Sequence, residues 1–211
     1  DRRQRQMCIR DRRRVVVTGM GMLAPFGRGV DYNWENIVAG KSAIRRIDED
    51  LELYDVPVKI AGKVPMGKEA HRFDPDTVME PKEQRRVDKF ILFGMAAGID
   101  AMEDSGWKPE SEEEQYRAGV MMGSGIGGLQ TIYENSVIIN ENKSTHRVSP
   151  FFIPSCLINM ISGNLSIRFG LKGPNHACVT ACSTGTHAIG DAAAMIVRGD
   201  ADLMLAGGAE S

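Results

Sequence analysis

A chain of 211 residues with 42% hydrophobic content can bury one sizeable core, which excludes a disordered protein and a disulfide-dependent miniature fold. The net charge of −2 hides an uneven distribution: residues 1–13 hold six Arg against two Asp, and the remainder carries 20 basic and 26 acidic groups, a net −6. An acidic body excludes bulk attraction to nucleic acid. No segment approaches the ~20 apolar residues of a membrane span, and cysteines at 8, 156, 178 and 182 match no paired zinc spacing and suit a reducing, cytoplasmic setting.

Residues 1–13 have no Met at position 1 and no apolar periodicity, so they are expected to be a disordered or non-native tail, with a basic nucleic-acid arm as the alternative. Residues 14–211 are then expected to form one α/β domain. The β-branched run Arg14-Val15-Val16-Val17-Thr18-Gly19 predicts a buried first strand, ended by Gly19-Met20-Gly21. Asp31 is placed to cap a helix with Trp34, Ile37 and Val38 on one face, and Gly40 to close it. Residues 58–61 predict a strand, and 63–80 an irregular surface excursion. From 88 to 105, Phe90, Ile91, Phe93, Met95, Ala97, Ile99 and Met102 surround most of the circumference of a helix, which must be largely buried. Gly106 ends it, and an acidic loop at 111–114 leads to a strand at 118–122. After the glycines of 123–128 a helix is expected to about Asn140. Ser149-Pro150 breaks the chain, and residues 155–169 return to helical spacing.

His176-Ala177-Cys178-Val179-Thr180 predicts a short, largely buried strand, and residues 183–198 a helix stopped by Gly199. Cys182 stands between them, where the positive end of the helix dipole favours a thiolate and free N–H groups can stabilise an oxyanion. That is a nucleophile's position, although a free cysteine is more commonly a buried structural residue. A final strand at 202–206 completes an alternation of apolar strands with helices, the pattern of a sheet covered on both faces. The stop at Gly207-Gly208-Ala209-Glu210-Ser211, directly after a strand, reads as a truncation.

Three other features compete for attention. Gly123-Ser124-Gly125-Ile126-Gly127-Gly128 satisfies G-x-G-x-x-G between a strand and a helix. It is not the first strand, however, and no acid ends a second strand about 20 residues on, so a dinucleotide site is disfavoured against close backbone approach. His187 is five helical residues from Cys182, about 140° around the axis, and is expected to pack or hydrogen-bond instead of forming a dyad. Lys82, Arg85 and Arg86 share a face at helical spacing, which suits an acidic partner or phosphate as well as plain solvation.

With these pieces in order, the chain resembles the N-terminal half of the β-ketoacyl-acyl-carrier-protein synthases, condensing enzymes of the thiolase superfamily. The resemblance runs from Arg14 to Ser211 on the opening Arg14-Val15-Val16-Val17-Thr18-Gly19-Met20-Gly21, the segment 123–128, Ser149-Pro150-Phe151-Phe152-Ile153-Pro154, Thr180-Ala181-Cys182-Ser183-Thr184-Gly185 and Ala206-Gly207-Gly208-Ala209-Glu210. Ile126 and the Ser-Pro-Phe-Phe run look more like synthase II than synthase I. The implied fold is α/β and thiolase-like, one N-terminal half of a duplicated mixed-sheet and helix layered arrangement.

The resemblance implies fatty-acid chain elongation, with Cys182 taking an acyl chain from the phosphopantetheine arm of acyl carrier protein as a thioester. Malonyl-carrier protein then loses carbon dioxide, and the carbanion attacks that thioester. Ile126 and Phe152 would line the acyl pocket, Phe152 across a homodimer interface, and Lys82, Arg85 and Arg86 would dock the acidic carrier protein. No metal and no tightly bound cofactor are implied, phosphopantetheine arriving on the carrier. Two histidines and a lysine that the family places in its C-terminal half are missing from these 211 residues, so the chain alone is expected not to condense substrates. The alternatives are a polyketide-type ketosynthase, a non-catalytic acyl- or partner-binding relative, and a nucleotide-dependent oxidoreductase resting on the glycine motif.

Overall fold

A computed structural model describes residues 13–47 and 57–211. Cys8 and residues 1–12 of the expected tail lie outside the described residues. Arg13 is described, and its guanidinium pairs with Asp202.

Three parallel strands form the sheet that positions the site. The central strand β5 (Ala118–Gly123) lies between β6 (Asn175–His176) and β7 (Leu203–Gly208). Ala118 pairs with Leu203 and Gly123 with Gly208, while Val120 and Met121 face Asn175 and His176. Every residue of β5 is buried, as expected for a strand covered on both faces. Among the described residues the remaining strands are two antiparallel pairs of two residues each, β1 (Leu23–Ala24) with β2 (Gly27–Arg28) and β3 (Arg45–Arg46) with β4 (Ile60–Ala61).

Helix α3 (Lys89–Ser105) is the spine of the core and buries nine of its residues, Phe90 to Met102 among them, as its periodicity predicts. Gly94 and Gly98 let it approach α7 (Met160–Phe169) closely. A Cβ at either would stand 2.7 Å from Ile161 Cγ2 or Leu165 Cδ1. Val120 and Met122 of β5 join this cluster with Leu205. Alternation along the strand sends Met121 to the other face, where α8 (Thr184–Arg198) buries Ala188 and Ala192 against β5 and β7. The result is three layers, helix, sheet and helix. Ser162 of α7 seals the layer junction. Its hydroxyl accepts the Met122 N–H at 2.8 Å and lies 3.0–3.1 Å from the His176 and Met122 carbonyls.

Several expected elements differ. Residues 14–19 form no strand, and Val16 and Val17 are 73% and 75% exposed. Their β-branched side chains favour extension, but among the described residues no strand pairs with them to complete a ladder. The segment ends instead on α3, where the Met20 N–H donates to Asp104. The glycines there serve close approach: a Cβ on Gly19 or Gly21 would stand 2.2 Å from the Ala101 carbonyl or 1.9 Å from that of Ala97.

Helix α1 (Val30–Val38) starts after Gly29 without a side-chain cap, so Asp31 lies in its first turn. Gly40, at φ +66°, closes it as expected. The helix exposes Trp34, Ile37 and Val38 and buries Asn33 and Asn36. The Asn33 amide holds that polar face down through the Gly27 and Gly29 carbonyls.

Residues 63–80 are irregular, with a 3₁₀ turn at Pro75–Thr77, yet they anchor the core through fully buried Phe73 and Val78. The acidic stretch 111–114 is not a loop. It opens α4 (Glu112–Arg117), where Ser111 caps the Glu114 N–H and three Glu face the positive helix end. The helix expected at 155–169 is two helices, α6 (Phe152–Cys156) and α7, parted at Leu157 by an extended backbone angle. The strand expected at 176–180 is only β6, and Val179 is exposed. The closing strand runs further than expected, through Gly207 and Gly208.

Candidate active site

Between β6 and α8 the chain turns sharply, with Ala181 in the left-handed region at φ +50°, an unusual angle for a residue with a Cβ. A 3₁₀ turn (Ala181–Ser183) runs directly into the helix. Thr184, 3% exposed, ties the turn together: its Oγ1 accepts the Thr180 N–H at 2.9 Å and donates to the Ala181 carbonyl at 2.7 Å. The Ser183 N–H closes the turn on the Thr180 carbonyl at 3.0 Å. Cys182 therefore stands one turn before the body of a fifteen-residue helix, at its positive end.

Cys182 is exposed, unlike the other described cysteines. Burial pushes the Cys156 thiol above its ordinary range, and burial followed by the Asp191 carboxylate does the same to Cys178. Both are disfavoured as thiolates at neutral pH. The Cys178 Sγ is engaged with the Thr184 carbonyl.

The glycine segment 123–128 lies against this turn. A Cβ on Gly125 would stand 3.3 Å from Ala181 Cα, and one on Gly123 2.5 Å from Thr184 Cγ2. The backbone N–H groups that a phosphate would need are taken by the chain's own carboxylate. Glu210 accepts from Gly125 N at 2.8 Å and Ile126 N at 3.1 Å through Oε2, and from Ser124 Oγ at 2.8 Å through Oε1. A nest already filled by an internal anion explains why G-x-G-x-x-G here need not mark a nucleotide site. No local pattern marks Glu210, because its contact depends on the β5–β7 register.

His187 hydrogen-bonds as expected. Its Nδ1 lies 3.2 Å from Thr180 Oγ1, and its Nε2 is 3.1 Å from Asp191 Oδ2. The ring is thus occupied at both nitrogens by groups of the same turn and helix.

Helix α2 (Pro81–Gln84) is a single turn, so Arg85 and Arg86 follow it and do not share a longer helical face with Lys82. Lys82 and Arg85 are exposed. Arg86 is engaged, paired with Glu83 at 2.9 Å and stacked 4.6 Å over the Phe151 ring. Phe152, half-buried, begins α6 one residue on. The far end of α6 meets the glycine segment, the Cys156 carbonyl accepting the Gly128 N–H at 3.2 Å. Asp88 stitches the same junction by accepting from the N–H and hydroxyl of Thr131 in α5 (Leu129–Asn142). Ile126 is 60% exposed on the loop held by Glu210. One connected route therefore runs from the basic residues through α6 and the glycine segment to the Cys182 turn.

An open groove of about 780 Å³ lined by Arg13, Arg14, Val15, Val16, Ile196 and Asp202 lies at the other end of α8. It is remote from this chemistry. Among the described residues no cluster of three His, Cys, Asp or Glu could hold a metal ion, and no helix is long and apolar enough to cross a membrane.

The family model for the N-terminal domain of β-ketoacyl synthases matches residues 12–211. The 3-oxoacyl-[acyl-carrier-protein] synthase 2 of Rhizobium meliloti (strain 1021) is 52% identical over 200 residues, which cover 94% of this chain and 47% of that protein. Its counterpart in Vibrio cholerae serotype O1 is 50% identical, with 94% and 46% covered. Among solved structures, a type II PKS acyl-carrier protein in complex with its ketosynthase bound to the hexaketide matches with a TM-score of 0.78 at 26% identity, covering 95% of this chain and 46% of that one. The chain spans about half the length of the curated relatives it matches.

Proposed function

The chain belongs to the β-ketoacyl synthase family, as a thiolase-like N-terminal half, and from that premise we propose that Cys182 is the acyl acceptor of a fatty-acid elongating synthase of type II. The observation that carries the reading is the exposed thiol on a tightly tied turn at the start of α8. In the first half-reaction the Cys182 thiolate attacks the carbonyl carbon of an acyl thioester. A tetrahedral oxyanion forms next to backbone N–H donors and the helix N-terminus, and it collapses by expelling the phosphopantetheine thiol of the carrier. The acyl chain is left on Sγ. In the second, malonyl-carrier protein loses carbon dioxide and its α-carbon attacks this thioester, releasing Cys182 and a β-ketoacyl chain two carbons longer.

The residues of this chain support the first half-reaction, and decarboxylation is assigned to groups outside it. Ile126 and Phe152 line the acyl pocket, with Phe152 supplied across a homodimer interface. The exposed Lys82 and Arg85, with Arg86, receive an acidic acyl carrier protein, electrostatic steering being the reason an acidic body keeps cations together. Phosphopantetheine arrives on the carrier, no cofactor is held tightly, and the protein works in the cytoplasm. Identity near one half to proteins named 3-oxoacyl-[acyl-carrier-protein] synthase 2 supports the fatty-acid elongating reading, and the matched polyketide ketosynthase structure is 26% identical.

Incubation with octanoyl-carrier protein followed by intact-mass measurement tests the reading. An octanoyl adduct on the intact protein and none on its Cys182→Ala variant is expected. An adduct of equal yield on Cys182→Ala overturns it.

A further inference from the structure

We infer that Glu210 is a positioning residue for Cys182, acting through the glycine segment; this rests on the reading of Cys182 as acyl acceptor. One carboxylate gathers three donors of consecutive residues, the Ser124 hydroxyl and the Gly125 and Ile126 amides, at 2.8–3.1 Å. Ser124 Oγ in turn accepts the Gly127 N–H at 3.0 Å, so a single side chain fixes four residues of the loop. The strand register makes this possible. Gly123 pairs with Gly208, the Ala209 N–H donates to the Gly123 carbonyl at 3.0 Å, and Glu210 follows directly over the loop.

The loop is a buttress. The Gly125 backbone lies against both Glu210 and the nucleophile turn, since a Cβ there would stand 2.9 Å from Glu210 Oε2 and 3.3–3.4 Å from Ala181 Cα and C. Ala181 holds a left-handed backbone angle that a residue with a Cβ keeps only under constraint from its surroundings. When Glu210 is removed, the loop withdraws, the constraint on Ala181 weakens, and Cys182 leaves its reactive position.

The test follows acylation of Cys182 by an octanoyl N-acetylcysteamine thioester, a substrate that needs no carrier docking. Glu210→Ala is expected to lower the acylation rate about tenfold. Glu210 is solvent-exposed, so the vacated amides remain open to small anions, and acetate at about 100 mM is expected to restore most of the rate where chloride of equal ionic strength does not. Glu210→Gln, whose carbonyl still accepts from both amides, is expected to stay within about threefold of the unsubstituted rate. If Glu210→Ala does not fold, Glu210→Asp, with its carboxylate drawn back by one methylene, is read in the same assay with the same expected loss.

An acylation rate unaffected by Glu210→Ala or Glu210→Asp, or a loss that acetate leaves unchanged, overturns the positioning role. Absence of acylation in the unsubstituted protein overturns the reading of Cys182 itself, and Glu210's role with it.

Discussion

Thr184 is the residue on which the shape of the nucleophile turn depends most directly, and Thr184→Val isolates its hydroxyl at nearly constant volume. The side chain is 3% exposed, accepts from Thr180 N and donates to the Ala181 carbonyl. Valine leaves both backbone groups without that partner. At about 1 kcal/mol for each hydrogen bond, the loss is about 2 kcal/mol. For a chain of this size each kcal/mol lowers the unfolding midpoint by roughly 2–4 °C, so a fall of about 4–8 °C is expected in a calorimetric melt. A functional effect should accompany the loss of stability, because Ala181 at φ +50° is free to relax once its carbonyl is released. Octanoyl transfer to Cys182 is expected to fall about tenfold or more, since displacing a nucleophile by an ångström costs up to about 100-fold. Thr184→Ser, which keeps the hydroxyl, should recover most of the rate. A Thr184→Val protein with an unchanged acylation rate would refute the argument that this hydroxyl sets the turn.

Three further outcomes are expected. Gly98→Ala places a Cβ 2.7 Å from Leu165 Cδ1 in the α3–α7 contact and should cost about 1–3 kcal/mol in urea unfolding; an unchanged midpoint at unchanged slope would mean that the contact adapts freely. Hydrogen bonds from Arg117 and then Arg13 hold the Asp202 carboxyl at about 2, below its ordinary 3.8. A depressed folded value gives stability that is present above pH ~4 and lost as pH falls through about 2, so the melting-temperature gap between the unsubstituted protein and Asp202→Asn should close across that window. A constant gap would mean that the pairing contributes nothing. Reversing Lys82, Arg85 and Arg86 to Glu should weaken carrier-protein binding, with the difference shrinking as salt rises. Unchanged affinity would make these residues an ordinary solvated surface.

Where the sequence was legible, one local pattern sufficed. The apolar circumference of 88–105 required a buried helix, and Lys89–Ser105 is one. The stops at Gly106 and Gly199 hold because both adopt left-handed angles that glycine accepts without cost. The Cys182 position was readable for the same reason, a short apolar run giving way to a strong helix. Reading failed where the outcome rested on a distant neighbour. The valines of 15–17 favour extension, but propensity cannot supply a strand to pair with. Helix α1 shows apolar periodicity on the face it exposes, because the polar face is tied to the Gly27 and Gly29 carbonyls by Asn33. At 111–114, composition suggested a loop although Ser111 and Glu114 stand at capping-box spacing, a signal that was available. Helical spacing puts Lys82, Arg85 and Arg86 on one face, yet the helix ends after Gln84 and leaves Arg86 to stack on Phe151.

The glycines around Cys182 share a physical reason that the G-x-G-x-x-G pattern conceals. Three backbones converge on the first turn of α8, from the carboxyl ends of β5 and β7 and from the turn itself. A Cβ on Gly123 would stand 2.3 Å from the Cys178 carbonyl, and one on Gly208 3.0 Å from Gly185 N. No side chain fits at the first contact, and at the second an added Cβ forces the neighbouring backbone to give. In a dinucleotide fold such closeness admits a pyrophosphate to the start of a helix. Here the space is filled by the chain's own backbone, and the amides that would hold a phosphate hold Glu210. The glycines thereby convert an anion cradle into a rigid support for the turn that carries Cys182. Gly208→Ala is then the sharpest challenge to this account. It should separate β7 from the helix start and slow Cys182 acylation together with the thermal midpoint, whereas Gly190→Ala, where an added Cβ meets nothing within 4 Å, should leave both in place.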